Sequence, residues 1–359
     1  PVEVFLDRRL RATRPTTGGS RTLTDDSLQI PPIAPVAAGV PRPRWSVMIP
    51  TYNAAATIAQ TLESVLAHGP VARDVQIAVV DNASSDETLL VVEGVVAARN
   101  ARDRVEVHRN PTNLGMAGNW TACIEHARGE LVHILHADDY VQPGFYETVE
   151  AAFADAPSSD LCLVRALVVD AKGEPERLAG RLGRTGDVLG ATALAYGNEF
   201  YCPGVVVRRA CYERVGGFSP TLQYLPDWEM WLRILASGSG VYVNEPLVCY
   251  REAPGNVTNR YSKTADDLRE LIRFGEVLQR RVPGFVPIRW RSFLKQHAVW
   301  AMANWERVGD QAAYQTNRNF WRSFASPGEK LDVALAAAKA FGKQCERPLR
   351  NAVWQFRKK

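Results

Sequence analysis

The sequence has few cysteines, and the six that it has are not arranged in pairs. No two of them show the C-x-x-C spacing of a zinc or redox site; they lie at Cys123, Cys162, Cys202, Cys211, Cys249 and Cys345. A disulfide-stapled secreted domain and a zinc framework are therefore excluded as the basis of the fold. The cysteines are predicted to be small core residues in a reducing compartment.

Hallmarks of several other protein classes are also missing. No apolar run approaches the ~20 residues that a membrane-spanning helix needs. The glycine-rich loops G-x-G-x-x-G and G-x-x-x-x-G-K-[S/T] are absent, which argues against a dinucleotide fold and a P-loop. The net charge of +4 is too small to indicate nucleic acid as a partner. The first residues carry charges where a signal peptide would be apolar, so a cytoplasmic enzyme is the default expectation.

What the sequence does contain is typical of a globular enzyme. Of its 359 residues, 46% are hydrophobic and 23% are charged, which is enough for a sizeable core. Residues 1–44 are rich in proline and small polar residues, and they are predicted to be a poorly ordered N-terminal extension. Residues 45–258 are predicted to form the catalytic domain. Residues 259–359 are predicted to be a helical C-terminal extension with breaks near prolines.

Within residues 45–258, short apolar strands alternate with amphipathic helices. The pattern predicts strands at 46–49, 76–80, 105–108, 131–135, 161–169 and 205–207. Residues 170–200 are rich in glycine and are assigned to neither class, and 241–251 fits one strand or a hairpin. Strands that are apolar throughout and separated by helices indicate a mostly parallel sheet with helices on both faces. The predicted fold class is therefore α/β.

Polar clusters follow three of these strands. They contain Tyr52 after the first strand, Asp81 after the second, and Asp138 with Asp139 after the fourth. The carboxyl ends of parallel strands meet at one edge of a sheet, where ligands bind in open α/β folds. We expect Tyr52 to contact a base or ribose and Asp81 to accept hydrogen bonds from either. A divalent cation on a diphosphate would relieve the repulsion between the two adjacent carboxylates.

Each cluster alone also fits a purely structural role. Asn53 fits a turn or a helix cap, and Asp81 and Asp86 fit a turn and a cap. Asp138 and Asp139 fit the cap of a following turn. The functional interpretation depends on all three clusters occurring in order at successive strand ends.

Two histidines, His133 and His136, invite a zinc interpretation that strand geometry excludes. Residues three apart in a strand point to opposite faces of the sheet, so the two rings cannot share one ion. His133 is predicted to be a core residue. His136 is predicted to lie near the metal and the donor.

Five segments carry a family resemblance over about residues 45–258: SVMIPTYNAAATIAQTLESVLAHG, IAVVDNASSDET, NPTNLGMAGNWTACIEHARGELVHILHADDYVQPGFYE, CPGVVVRRACYERVGGF and PDWEMWLRI. In their order and spacing they resemble the family 2 glycosyltransferases, a large GT-A group that uses nucleotide-diphospho sugars. The resemblance implies a GT-A fold and sugar transfer to an acceptor hydroxyl. The implied acceptors are a glycan, a glycolipid or a polysaccharide precursor, such as those of a cell envelope.

The resemblance implies a role for each matching position. Asp138 and Asp139 would occupy the DxD-type position and hold Mg²⁺ or Mn²⁺ on the diphosphate. Asp227 matches the catalytic base. The nucleotide-sugar donor would contact Pro50, Thr51, Tyr52, Asn53, Asp81, Asn113, Gly115, Asn119, His136 and Asp138.

The expected chemistry is an inverting transfer. An acceptor hydroxyl is a weak nucleophile, so a carboxylate within hydrogen-bond reach must take its proton. Asp227 is predicted to open a helix whose dipole keeps the carboxylate ionised. Glu229 is the reserve candidate for the base, and a plain helix cap is the structural alternative for Asp227.

The sequence departs from the family pattern at two places. The family often has aspartate where this chain has His136. Many members carry a histidine shortly after the pair Tyr250-Arg251, and this chain has none there. The contact is either lost or supplied by Arg251 or Asn256. The transferase remains the leading prediction. The two departures support an alternative, which is a non-catalytic nucleotide- or glycan-binding module on a decayed transferase scaffold. A nucleotidyltransferase would need a glycine-rich loop after the first strand, which is absent.

The last residues mix aromatic and basic side chains, including Phe341, Trp354 and Arg357. Such a segment can lie on an anionic membrane surface, which would place the enzyme at the inner face of a membrane. The favoured alternative is a basic end that packs on the core or on a second subunit of a homo-oligomer, because Pro348 interrupts the helix. The acceptor site is expected in residues 170–225 and the helical extension.

Overall fold

One ten-stranded sheet runs through the computed structural model, which describes residues 28–70, 75–180, 183–198, 200–253 and 255–326. The strands are β1 (Trp45–Thr51), β2 (Val75–Asp81), β3 (Val105–Arg109), β4 (Leu131–Ile134), β5 (Tyr140–Val141), β6 (Leu161–Val169), β7 (Pro175–Leu178), β8 (Val188–Leu189), β9 (Val205–Arg208) and β10 (Gly240–Arg251). The helices are α1 (Ile58–His68), α2 (Thr88–Ala98), α3 (Gly115–His126), α4 (Phe145–Asp155), α5 (Arg209–Val215), α6 (Pro226–Ser237), α7 (Val257–Thr264), α8 (Asp266–Arg281), α9 (Pro287–Val308) and α10 (Gln311–Phe324).

The sheet is mixed, but most of its long strands point the same way. Its order is β3-β2-β1-β4-β9-β6-β10-β5, with β7 beside β6 and β8 beside β10. The first four strands, β1 to β4, all run in the same direction. β9 lies between β4 and β6 and is antiparallel to both, so β6 runs in the same direction as β4. β10 is parallel to β6 and therefore shares this direction. The prediction of a mostly parallel α/β sheet is confirmed. The carboxyl ends of these six strands therefore lie along one edge.

Helices cover both faces of the sheet, and β1 shows why. Its side chains alternate between faces, as strand geometry requires. Val47 and Ile49 join the core under α1, α2 and α4, whereas Met48 joins the core under α3 and α6. Apolar side chains on both faces can be buried only between two helical layers.

The helical extension shares a core with the sheet. The ring centroid of Trp228 on α6 lies 5.5 Å from that of Phe274 on α8 and 5.7 Å from that of Trp290 on α9. These side chains belong to the same buried cluster as Met48 of the central strand. The first turn of α6 is thus packed directly against the extension.

The second half of the N-terminal extension differs from the expectation. Residues 1–27 lie outside the described residues, but 28–44 pack on the domain. Leu28 and Ile33 are buried. The guanidinium of Arg209 donates to the carbonyl of Ala34 at 2.9 Å, and the amide of Gly217 donates to Pro31 at 2.8 Å. The domain therefore binds backbone carbonyls of this proline-rich segment. The composition of the segment alone did not indicate this packing.

Local details also differ from the sequence expectation. Asp86 lies one residue before the N-cap of α2, which is Glu87, and its Oδ1 accepts from the amide of Thr88 at 3.0 Å. The segment 241–251 is one strand with an irregular register between Val243 and Val248, not a hairpin. The short β7 and β8 lie in the glycine-rich stretch that the pattern left unassigned.

Gly275 on α8 lies directly against the indole of Trp290 on α9, and it gives a test of the packing. A Cβ at this position would overlap the indole of Trp290. We expect Gly275→Ala to lower the free energy of unfolding by ~1–3 kcal/mol, because overpacking displaces a buried ring. Chemical denaturation would measure it.

The matched control is Gly94→Ala in α2, where a Cβ meets nothing within 4 Å. Alanine should raise the free energy of unfolding there by ~0.5–1 kcal/mol, because glycine is the poorer helix residue. Equal effects at the two positions would contradict the close contact between α8 and α9.

Candidate functional site

The predicted strand-end clusters converge on one edge of the sheet. In the parallel register Thr51 lies opposite Asp81, and Asp81 lies opposite Arg109. β4 lies on the other side of β1 and ends at Ile134, opposite Met48. The loop carrying Asp138 and Asp139 leaves from that end. The structure therefore brings the three clusters together, as parallel topology requires.

The first two clusters are joined by a set of short hydrogen bonds. The amide of Asn53 donates to Ser84 Oγ at 2.9 Å, and Asn53 Oδ1 accepts from the amide of Ser85 at 2.9 Å. Asn53 has a φ of 49°, a left-handed conformation that asparagine tolerates. The neighbouring Tyr52 ring is half-exposed above this junction. Asn53 therefore shapes the loop and is not a helix cap, since α1 begins at Ile58.

Asp81 is a fully buried carboxylate at the floor of this junction. It accepts from the amide of Ser84 at 3.2 Å and pairs with Arg109, whose Nε lies 3.3 Å from Asp81 Oδ2. The guanidinium of Arg109 is more than half exposed and also donates to the Ser84 carbonyl at 2.9 Å. Sequence reasoning missed Arg109, because an arginine at the end of an edge strand looks like any surface charge.

Asn113, Gly115 and Asn119 lie at the start of α3 beside Asp81. Asn113 Oδ1 accepts from Asn82 Nδ2 at 2.9 Å and from the amide of Gly115 at 2.8 Å. Asn119 is buried, and both ends of its amide bind inside the protein, to Asn110 at 2.9 Å and to the carbonyl of Val80 at 3.2 Å. Asn119 therefore holds α3 against β2. A direct contact from Asn119 to the donor would require these bonds to break.

The acidic loop gathers three ligand-type side chains. One ligand atom from each of His136, Asp138 and Asp139 lies within 4.8 Å of the others. Asp139 is fully buried, and burial followed by the neighbouring charge of Asp138 raises its pKa well above the usual value. Asp138 is partly exposed, and burial raises its pKa as well. Two carboxylates in this position are destabilised unless a positive charge is added.

Unpartnered buried atoms show that the loop fits a divalent cation. Asp139 Oδ1 accepts from the amide of Arg251 at 2.8 Å, but Asp139 Oδ2 and His136 Nε2 have no hydrogen-bond partner among the described residues. The His136 ring stacks on Trp120 with centroids 4.7 Å apart, and burial lowers its pKa to about 4. It is therefore neutral near physiological pH and keeps a free lone pair. Carboxylate and imidazole together suit Mn²⁺ or Mg²⁺.

Arg251, at the end of β10, fixes this loop. Its Nε donates to the carbonyl of Asp138 at 2.8 Å, and its other nitrogens bind Ala171 and Gln60 at 3.0 and 2.6 Å. Thr61 on α1 adds a hydrogen bond to the carbonyl of Asp139 at 2.7 Å. Arg251 thus positions the acidic pair.

The two proposed substitutes for the missing histidine are already engaged in the protein. All of the hydrogen bonds of Arg251 described above go to backbone or side-chain oxygens of the fold. The side chain of Asn256 caps α7 by accepting from the amide of Asn259 at 2.9 Å. The guanidinium of Arg251 and the side-chain oxygen of Asn256 therefore already serve the fold.

Asp227 lies in the first turn of α6 and is half-buried. Its Oδ1 accepts from the amide of Trp228 at 2.7 Å, and its Oδ2 accepts from Asn198 Nδ2 at 3.2 Å. Burial raises its pKa to about 6 despite these bonds. With this pKa the carboxylate is still ionised at neutral pH, as expected, but desolvation outweighs the helix dipole and raises the pKa. A carboxylate with this pKa is a stronger base than an exposed aspartate.

Glu229, the reserve candidate, is part of the core. It is buried and makes two hydrogen bonds to Arg233, one turn along α6, at 2.9 and 2.8 Å. A carboxylate held in a buried ion pair is not free to accept a proton from an acceptor. Asp227 remains the only base candidate of the two.

Asp227 and the acidic loop face the same interior. The buried thiol of Cys202 has a pKa raised first by burial and then by both Asp227 and Asp139. Tyr201, its neighbour, stacks on Tyr250 with centroids 4.0 Å apart, and the pKa of Tyr250 is raised by burial and then by Asp139. The carboxylates of Asp139 and Asp227 therefore both lie close enough to Cys202 to affect its thiol.

His133 is a core residue, as predicted. It is fully buried, with Nδ1 3.1 Å from the Tyr146 hydroxyl and Nε2 2.8 Å from the carbonyl of Pro203. Burial lowers its pKa to about 4, so the ring is neutral. It shares no ligand group with His136.

Fold and site together define a sugar-nucleotide transferase of the GT-A class, and comparison with known proteins supports this. Residues 46–215 match the model described as Glycosyl transferase family 2. The poly(ribitol-phosphate) β-N-acetylglucosaminyltransferase TarS of Staphylococcus aureus is 32% identical over 138 residues, which is 38% of this chain and 23% of TarS. The match thus spans about a quarter of that relative.

Solved structures share the fold at low sequence identity. TarS residues 1–349 in complex with UDP-GlcNAc have a TM-score of 0.57 and 15% identity, over 83% of this chain and 91% of that one. The mannosyltransferase PcManGT of Pyrobaculum calidifontis, in complex with GDP-Man and Mn²⁺, has a TM-score of 0.53 and 19% identity, over 88% and 90%. The protein is therefore a glycosyltransferase, and its residues 46–215 form a family 2 domain.

No helix among the described residues is both long and apolar enough to cross a membrane. The basic aromatic segment near the C-terminus lies outside the described residues, so its predicted contact with a membrane or a second subunit stays a prediction.

Proposed function

We propose that the protein transfers a sugar from a nucleoside diphosphate sugar to an acceptor hydroxyl with inversion, and that Asp227 is the base. The proposal rests on the presence of two acidic sites whose carboxylates have different surroundings. Asp227 is a single carboxylate whose pKa is raised to about 6 by burial. Asp138 and Asp139 are adjacent, and the buried Oδ2 of Asp139 has no hydrogen-bond partner in the part of the chain that the structure describes.

The donor is proposed to lie along the carboxyl ends of β1, β2 and β4. Tyr52 offers an exposed ring for a base or ribose, and Asp81 offers buried carboxylate oxygens near it. Arg109 adds a half-exposed positive charge at the same edge. Pro50 and Thr51 form the floor as the last residues of β1, and the Thr51 hydroxyl has no hydrogen-bond partner among the described residues.

Asp138, Asp139 and His136 are proposed to hold Mn²⁺ or Mg²⁺. When bound, such an ion neutralises the charge that develops on a leaving diphosphate. Arg251 and Thr61 keep the acidic loop in place. Trp120, stacked on His136, covers one face of the imidazole and sets its orientation.

The transfer itself follows from the position of Asp227. The acceptor O–H donates its proton to the Asp227 carboxylate as its oxygen bonds to C1 of the sugar. The bond between C1 and the diphosphate oxygen breaks on the opposite side, and the nucleoside diphosphate leaves with the electron pair. Asn198 and the amide of Trp228 orient the carboxylate.

The acceptor is proposed to be a hydroxyl of a glycan, polyol or lipid-linked envelope precursor. This rests on TarS, whose name gives a poly(ribitol-phosphate) acceptor. Against the alternative of a non-catalytic module, the described residues keep a candidate base and the acidic pair.

The pH dependence tests the assignment of Asp227. Below its pKa of about 6 the carboxyl group is protonated and cannot accept a proton, so the rate should rise as pH increases through that value. Nucleoside diphosphate release from a saturating donor with Mn²⁺ would measure it. Nucleotide affinity measured at each pH separates this titration from that of the metal site. A rate that stays flat or falls over this range would contradict the assignment.

A further inference from the structure

The carboxylate of Glu270 makes an unusual contact with the turn that precedes Asp227. Glu270 lies on α8 in the helical extension and is half-buried. Its Oε2 accepts from the amide of Gln223 at 2.9 Å. Its Oε1 accepts from the amides of Tyr224 and Leu225 at 2.8 and 2.7 Å. One side chain thus binds three successive backbone N–H groups.

Those three residues lead directly into α6. Leu225 is the N-cap of this helix, and its apolar side chain cannot accept a hydrogen bond. In a capping box, a glutamate inside the helix would bind the N-cap amide. α6 has no such residue at its third position, where Trp228 stands. Glu270 supplies the missing acceptor from another helix, with the added strength of a charged group.

We propose that Glu270 is a positioning residue that fixes the turn of residues 223–225 and thereby aims Asp227 at the acceptor hydroxyl. The inference rests on the proposed role of Asp227 as the base. It gives the helical extension a part in catalysis, because Glu270 on α8 lies outside residues 45–258, whereas Asp227 lies within them.

The charge of Glu270 has a second consequence. The groups that face Asp227 are Asn198 from the loop before β9, the amide of Trp228, Cys202, Tyr224 on the preceding turn, and Glu270 on α8. Among these, Glu270 carries a negative charge that raises the pKa of Asp227, after the larger effect of burial. Removing the charge should lower that pKa, whereas a loss of stability alone would leave it unchanged.

The decisive variant is Glu270→Gln, with Glu276→Gln as the matched control, since Glu276 is exposed on the same helix. Glutamine keeps the shape but replaces one acceptor oxygen by an N–H donor, so at least one amide loses its partner. We expect faster hydrogen exchange at the amides of residues 223–225 and a lower pKa of the Asp227 carboxyl by ¹³C NMR titration. The control should show neither change.

Activity is measured as hydrolysis of UDP-GlcNAc or GDP-mannose with Mn²⁺. We expect Glu270→Gln to lower the plateau rate by about 10- to 100-fold, as a displaced catalytic group does. The acid limb of the pH profile should move down, and the KM for the donor should not change. Glu270→Asp should recover part of the rate.

Three results would overturn the inference: unchanged exchange, an unchanged pKa of Asp227, or a rate loss that follows the fall in Tm alone. If the wild-type protein hydrolyses neither donor, the proposed function fails for those donors. The exchange and titration measurements would still decide the role of Glu270.

Discussion

Asp227→Asn is expected to lower turnover by about 10²- to 10⁴-fold, the range for losing a general base. Asparagine keeps the side-chain shape, and its oxygen can still accept from the amide of Trp228, so the first turn of α6 should persist. It cannot take a proton from an acceptor. The measurement is the rate of nucleoside diphosphate release at saturating donor and Mn²⁺.

Two controls make this result specific. Asp155→Asn removes an exposed carboxylate at the end of α4 and should leave the rate unchanged. Nucleotide affinity in Asp227→Asn should match that of the wild type, because Asp81 and the acidic loop are intact. A variant that kept most of its turnover would remove Asp227 from the mechanism.

Asp138→Ala is expected to abolish the metal-dependent part of catalysis. Charge stabilisation by a bound ion contributes several kcal/mol, so the loss should reach roughly 10³-fold at 1.36 kcal/mol per tenfold. Of the two aspartates, Asp138 gives the more specific test of the metal ligand. Asp139 also accepts from the amide of Arg251, so its removal would disturb the loop as well as the ligand set.

Asp138→Asn separates charge from shape. It keeps an oxygen ligand but halves the formal charge of the pair, so we expect an intermediate Mn²⁺ affinity between the wild type and alanine. The variants should unfold at similar temperatures without metal, since the Asp138 side chain is partly exposed. Full activity of Asp138→Ala in a chelating buffer would contradict a metal-dependent transfer.

The α/β sheet was predictable because its signal is local. Each strand is a short apolar run, and the helices that cover the sheet have apolar residues on one face. On α1 these residues are Ile58, Leu62 and Val65. Parallel topology then placed Tyr52, Asp81 and Asp138 at one edge without further information. The family resemblance added Asp227, which has no local signal beyond that of a helix cap.

The parts that the sequence did not reveal depend on contacts between distant segments. Glu270 binds a turn 45 to 47 residues away, and Arg251 binds the carbonyl of Asp138 113 residues away. The raised pKa of Asp227 was missed for the same reason: its burial depends on packing between distant segments, which the local pattern does not show. The packing of residues 28–44 likewise needs partners such as Arg209.

The most direct test of the central claim is the coupling between nucleotide and metal, measured by calorimetry. If the acidic pair and the donor share an ion, UDP or GDP binds the wild-type protein more tightly with Mn²⁺ than without it, and Mn²⁺ binds more tightly with the nucleotide by the same factor. Asp138→Ala should abolish this coupling. Equal nucleotide affinity with and without Mn²⁺ in the wild-type protein would contradict the claim that the acidic pair and the donor share an ion.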